Sequence, residues 1–225
     1  MRQSIHKYPL IMDMNPRSFI AESYRSLRTN IEFSSFDDEL KTIAVTSAKP
    51  GEGKTTTAVN MALAFAQAGK SVVLIDADLR KPSIHHIFNK HNKGGLSNII
   101  AKKHLIHEMI QETHIEHLSI IPSGPLPANP SEMLSSDAFS EMLNELKMNY
   151  SVIIVDSAPA LTVTDAQVVA AQCDGAILVV NSGKAKHDSV IKVKEQLDYV
   201  KARLLGVVLN NVKRHRRNKR EQAYY

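Results

Sequence analysis

The sequence predicts a doubly wound α/β fold with a mostly parallel sheet flanked by helices. Three observations carry that reading. Six short apolar runs rich in Val and Ile recur along the chain, at 42–46, 71–75, 118–122, 152–155, 176–181 and 204–209. Segments with helical apolar spacing fall between them, at 54–68, 131–147, 164–172 and 186–201. A glycine-containing turn joins the first run to the first of these helices. Most runs are near-continuously apolar, as expected of parallel strands covered on both faces. Alternation of strand and helix implies right-handed crossovers. Ligands in such sheets bind at the carboxyl ends of the strands.

Taken in order, residues 1–17 form an N-terminal arm, because 1–16 lack periodicity and include Pro9 and Pro16. A helix begins at Ser18 and runs to about residue 35. Phe19, Ile20, Tyr24, Leu27 and Ile31 are spaced for one apolar face. Glu22, Arg25 and Arg28 fall three apart on another, and spacing alone reads them as a solvated, ion-paired stripe. The body of the domain extends to residue 212. The first strand then leads into AKPGEGKT, Ala48 to Thr55. Strand, loop and helix stand in the order that a phosphate-binding loop requires, with Ala48 at the position of the pattern's first glycine. Gly51 and Gly53 let the backbone approach a phosphate without a Cβ in the way. The helix opening at Lys54 offers unpaired N–H groups. The nucleotide cradle is thus Lys49, Pro50, Gly51, Glu52, Gly53, Lys54, Thr55 and Thr56. Lys54 reaches the β/γ-phosphates, and the Thr55 hydroxyl ligates Mg²⁺.

Two later strands end in carboxylates. The second runs into Asp76-Ala77-Asp78-Leu79-Arg80, and the fourth into Asp156-Ser157-Ala158-Pro159. Mg²⁺ takes oxygen ligands, one or two carboxylates beside phosphates and water, so the candidate metal set is Thr55, Asp76, Asp78 and Asp156. Asp76 and Asp78 are two apart, which on a regular strand aims both to one face. Two such carboxylates repel, so a Mg²⁺ or Arg80 is needed to keep both ionised. One of them is placed to accept a hydroxyl proton. The bland alternative is that each Asp caps a following turn.

The remaining features restrict the function class. No apolar run approaches the ~18 residues of a membrane span, and no signal peptide is expected. The single cysteine, Cys173, excludes an internal disulfide framework, fits a reducing cytoplasm, and reads as a small buried hydrophobe. Net charge is +5, and Lys213 to Arg220 (KRHRRNKR) supplies most of it. No aromatic interleaving accompanies that run, so no nucleic-acid role is expected. The His-rich stretch 83–117 has no metal-ligand spacing and reads as polar surface.

These motifs together resemble the bacterial protein-tyrosine kinases (BY-kinases) of capsule and exopolysaccharide synthesis. AKPGEGKT resembles the family's Walker A, LIDADLRKP its Walker A′ and IIVDSAPA its Walker B. Glu22, Arg25 and Arg28 match its oligomerisation motif, which replaces the bland reading of that stripe. Tyr224 and Tyr225 end the chain like a short version of its tyrosine cluster. The resemblance implies a P-loop kinase domain over 18–212 with an oligomerisation helix at 18–35. The tail, 213–225, carries the phosphoacceptors Tyr224 and Tyr225. It further implies ATP and Mg²⁺, Lys54, Asp76, Asp78 and Asp156 as catalytic residues, and autophosphorylation in trans within a homo-oligomeric ring. It also implies other protein tyrosine substrates, and a cytoplasmic location with recruitment to the membrane by a separate transmembrane activator of the polysaccharide co-polymerase type. Lys49 occupies the place of a signature lysine in Min/Par-type ATPases, so a switch ATPase without a tyrosine substrate is the alternative. Resemblance to that wider class also gives Asn210, at the end of the last strand, an adenine contact, for which an amide offers both donor and acceptor.

Overall fold

The computed structural model describes residues 10–34 and 40–212. In chain order the helices are α1 (Ile11–Met14), α2 (Phe19–Ser34), α3 (Lys54–Ala66), α4 (Ile84–Ile87), α5 (Leu96–Ile100), α6 (Ile106–Met109), α7 (Pro130–Leu134), α8 (Asp137–Asn149), α9 (Asp165–Gln172) and α10 (His187–Tyr199). The strands are β1 (Thr42–Ser47), β2 (Val72–Asp76), β3 (Gln111–Glu112), β4 (Leu118–Ile121), β5 (Val152–Asp156), β6 (Gly175–Asn181) and β7 (Leu204–Asn210). They form one sheet in the order β3-β4-β2-β5-β1-β6-β7, parallel throughout except for β3 against β4. The six expected strands are all present. The added strand, β3, is two residues long, too short to carry an alternation signal.

Strand alternation builds two cores. Ile43, Val45, Leu74, Ile154 and Val179 face α1 to α4. Ala44, Val73, Ile75, Val155 and Leu178 face α5 to α10. Helix α3 lies central and almost wholly buried, which anchors the phosphate loop at its N-terminus to the sheet. The expected helix at 131–147 is instead two, α7 and α8, separated by Ser135-Ser136. Serines favour local hydrogen bonds over helix continuation, and Ser136 stands at the N-cap of α8.

Three local expectations are corrected. β7 is not covered on both faces: Val207 and Leu209 are exposed among the described residues, because β7 is the sheet edge. Within the arm, Ile11–Met14 turns helical and docks, with Met12 fully buried, its N–H donating to Asn60 (3.1 Å) and its carbonyl accepting from Gln67 (3.0 Å). On α2 the packed face is Ala21, Tyr24 and Ile31, while Phe19 and Ile20 are about half exposed. At 3.6 residues per turn Arg28 falls on that packed face. It leaves the Glu22–Arg25 ion pair (2.9 Å) and donates from Nη1 to the Ala64 carbonyl at the end of α3 (3.1 Å).

Cys173 is partly buried against the second core. Burial, then the neighbouring Asp174 charge, push its thiol up to about 12. Thiolate is the reactive form. A thiol reagent at pH 8 is therefore expected to label the native protein at least ~100-fold more slowly than the urea-unfolded chain. Equal rates would contradict this environment.

Candidate active site

The site lies where the carboxyl ends of β1, β2 and β5 meet. β1 ends in the loop that opens α3. Its backbone needs left-handed conformations at Gly51 (φ +81°) and Gly53 (φ +100°), which glycine adopts without a Cβ penalty. Space also restricts Gly53: a Cβ there would lie 2.0 Å from Asn210 Nδ2. Gly53→Ala is expected to destabilise the fold by about 1–3 kcal/mol and to lower ATP affinity at least tenfold. Urea denaturation and nucleotide titration check both, and a variant matching the wild type in both would show that the loop relaxes freely.

Lys54 stands at the first position of α3 and reaches into the carboxylates. Its Nζ lies 2.9 Å from Asp78 Oδ2 and 3.5 Å from Asp156 Oδ1. Thr55 donates from Oγ1 to Asp156 Oδ2 at 2.6 Å. Burial pulls the Lys54 ammonium down, but the charges of Asp156 and Asp78 outweigh it and hold it above its ordinary range. The amine that the loop pattern assigns to phosphate is engaged with two carboxylates in this structure.

Asp76 and Asp156 are both fully buried and directly paired in register between β2 and β5. Asp76 Oδ2 accepts from the backbone N–H of Ser83 and Ile84, each at 2.9 Å. Its Oδ1 is buried with no hydrogen-bond partner among the described residues. Burial, then the Asp156 charge, raise Asp76 to about 7. Burial likewise raises Asp156, against Lys54 and the Thr55 hydroxyl. Asp76 and Asp78 do not share a strand face as expected, because β2 ends at Asp76. Asp78 lies beyond the strand, where its Oδ2 meets Lys54 and its Oδ1 accepts from the Lys81 N–H (3.0 Å). The turn-capping alternative is thus partly right. Each of these two carboxylates caps backbone with one oxygen and offers the other to the site.

A buried carboxylate oxygen unpartnered among the described residues, on the strand beside a second buried carboxylate, supplies hard oxygen donors of the kind Mg²⁺ takes, so these residues fit that ion. They do not form a complete protein cage: among the described residues no group of three or more His, Cys, Asp or Glu side chains could hold a metal.

The loop residues are less uniform than the motif suggests. Lys49 and Pro50 are exposed, while Glu52 is buried and accepts the Lys49 N–H (3.1 Å). Asn210 does reach the loop, but its Nδ2 donates to the Glu52 carbonyl (2.9 Å) and its Oδ1 accepts from the Asn211 N–H (2.9 Å). In this state its amide braces the phosphate loop. A cleft of about 1200 Å³ opens over Lys54, Thr55 and Asp78, with α2 residues Tyr24 and Leu27 along one wall and Asn210 on the rim. Glu22 also lines it, so the charged stripe of α2 borders the cleft, while Arg28 is turned to α3. Lys213 to Arg220, Tyr224 and Tyr225 lie outside the described residues.

Sequence reasoning missed Asp165, the first residue of α9. It is buried and accepts the Arg80 guanidinium at 2.8 and 3.1 Å. An Asp opening a helix reads as a dipole partner. Nothing in the local pattern points to a residue 85 positions away.

The comparisons with known proteins agree with this geometry. The AAA domain family matches residues 40–207. Tyrosine-protein kinase YwqD of Bacillus subtilis (strain 168) is 44% identical over 210 residues, 93% of this chain and 88% of that protein. The kinase domain of the Escherichia coli tyrosine kinase ETK superposes with a TM-score of 0.89 at 31% identity, over 93% of this chain and 82% of that one. The cell division ATPase MinD of Pyrococcus furiosus superposes at 0.67 with 24% identity, over 79% and 75%, which shows a shared fold alone.

Proposed function

The chain belongs to the bacterial tyrosine-protein kinases and is itself a protein-tyrosine kinase, and from that premise we propose that it transfers the γ-phosphoryl of ATP to tyrosines of its own C-terminal tail in trans. The observation that supports the reading most is the Lys54 ammonium held between Asp78 and Asp156 under an open cleft. Phosphoryl transfer asks a protein chiefly for positioning and charge stabilisation. ATP phosphates replace the carboxylates around Lys54 and take the free N–H groups of the α3 N-terminus. Exchange at Lys54 frees Asp78 Oδ2, which then accepts the proton of the attacking tyrosine hydroxyl. Bound Mg²⁺, held by Thr55, Asp76 and Asp156, would neutralise charge on the phosphates. Asn210, already on the cleft rim, contacts the adenine.

Tyr224 and Tyr225 are the proposed acceptors. Glu22, Arg25 and Arg28 are the proposed contacts between copies in a ring. Among the described residues no helix is long and apolar enough to cross a membrane. A separate transmembrane activator, recruitment to the inner membrane face and control of exopolysaccharide synthesis complete the proposal. The switch-ATPase alternative rests on Lys49, which is exposed and whose side chain makes no hydrogen bond or ion pair among the described residues.

Incubation with MgATP, followed by mass-spectrometric mapping of phosphotyrosine, tests the reading. Signal confined to Tyr224 and Tyr225, lost on their removal with ATP binding intact, is the expected result. ATP hydrolysis with no phosphotyrosine, even with an activator fragment present, would overturn it.

A further inference from the structure

Arg80 ends the Asp-x-Asp-x-Arg turn and lines the cleft beside Asp78. Its Nε donates to Asp165 Oδ2 (2.8 Å), and its Nη2 donates to Asp165 Oδ1 (3.1 Å) and Ser131 Oγ (3.3 Å). Ser131 in turn donates to Asp165 Oδ1, and Thr164 Oγ1 reaches Ser131 Oγ (3.2 Å). The Asp165 side chain has no solvent exposure, whereas the Arg80 side chain is 40% exposed. Such a bidentate fork fixes the plane of the guanidinium as well as its place, which a lysine could not reproduce. One edge of the fork is consumed, and Nη1 has no hydrogen-bond partner among the described residues. The pairing offsets the burial of Asp165, and its bidentate geometry in addition holds a partly exposed arginine in one orientation on the cleft wall.

We propose that Asp165 is a positioning residue: it locks Arg80, through α7 and α9, so that the free Nη1 edge meets the phosphoryl group as it moves from ATP to the acceptor. This rests on the kinase reading above. Charge on the transferring phosphoryl oxygens is met by a donor already oriented, without reorganisation at the moment of reaction. The contact belongs to the transition state more than to bound ATP, so its loss should appear in kcat.

The test uses the full chain with Asp165→Asn, Arg80→Lys and the double variant. Phosphotyrosine formation gives kcat, fluorescent ATP gives Kd, and thermal melting controls for folding. Each single variant is expected to lower kcat about 10- to 100-fold with ATP Kd within about threefold of wild type. The double variant should be no slower than Arg80→Lys, because the fork is already gone. Normal kcat in a folded Arg80→Lys protein, or additive losses in the double variant, would overturn the proposal. Should Asp165→Asn not fold, Arg80→Lys with Ser131→Ala carries the same comparison. Absence of phosphotyrosine from wild type would instead sink the kinase reading, and the coupling would then be read from ATP hydrolysis by the same set.

Discussion

Lys54→Met is expected to abolish measurable phosphotyrosine formation and, in addition, to destabilise the ligand-free protein. The catalytic loss follows from removing the ammonium that the phosphate-loop reading places beside the phosphates, worth on the order of 10²–10³ in kcat for a preorganised donor. The stability loss follows from what Lys54 leaves behind. Asp78 and Asp156 lie 2.9 and 3.5 Å from its Nζ, and all three side chains are nearly or wholly buried. Breaking a buried pair by removing one partner costs about 3–5 kcal/mol. Urea denaturation at pH 7.5 without nucleotide measures it. Lys54→Met/Asp78→Asn should recover much of the stability and none of the activity. A single variant as stable as wild type would mean that the carboxylates do not depend on this ammonium. Use of this substitution as an inactive control therefore needs a folding control of its own.

Asp76→Asn should do the opposite: stabilise the ligand-free fold while removing activity. Asp76 Oδ1 is buried without a hydrogen-bond partner among the described residues, and Asp76 is paired in register with the fully buried Asp156. An amide keeps an oxygen for the Ser83 and Ile84 N–H groups and turns a donor toward Asp156. The expected gain is about 1–3 kcal/mol, the cost of leaving a buried polar group unsatisfied. The wild-type pH dependence has a definite sign. The native state keeps a proton on Asp76 up to about 7, whereas the unfolded chain releases it near the ordinary carboxylate value. More protons are then bound in the native state, so stability falls as pH rises through that interval. Melting temperature measured from pH 5 to 8 should decline in wild type, and Asp76→Asn should flatten the decline. A wild type that gains stability from pH 5 to 7 would refute this account. The instability has a functional reason, since strain of this kind gathers where a ligand is to supply the missing partner.

How much was legible beforehand differs between fold and site. The strand ends at Asp76 and Asp156 and the turn at Gly53-Lys54 announced themselves because local rules govern them: apolar runs make strands, and glycine marks left-handed backbone. The spacing over 131–147 reads as one helix because apolar periodicity persists across Ser135-Ser136, whereas the backbone breaks there into α7 and α8. The apolar stripe on α2 was misassigned at Phe19 and Ile20, since periodicity locates an apolar face but not what covers it.

By itself, then, the sequence determined the parallel α/β architecture, the phosphate loop and the carboxylates that gather around it, because each follows from interactions between near neighbours in the chain. Only the tertiary structure decided what each carboxylate does. It set Asp78 on Lys54, left one oxygen of Asp76 unpaired among the described residues, and brought Asp165 to Arg80 across 85 residues. Those roles depend on distance and burial between strands β2 and β5 and helices α3 and α9. Pairings over such separations are fixed by how the layers pack, and no local pattern in the chain encodes them.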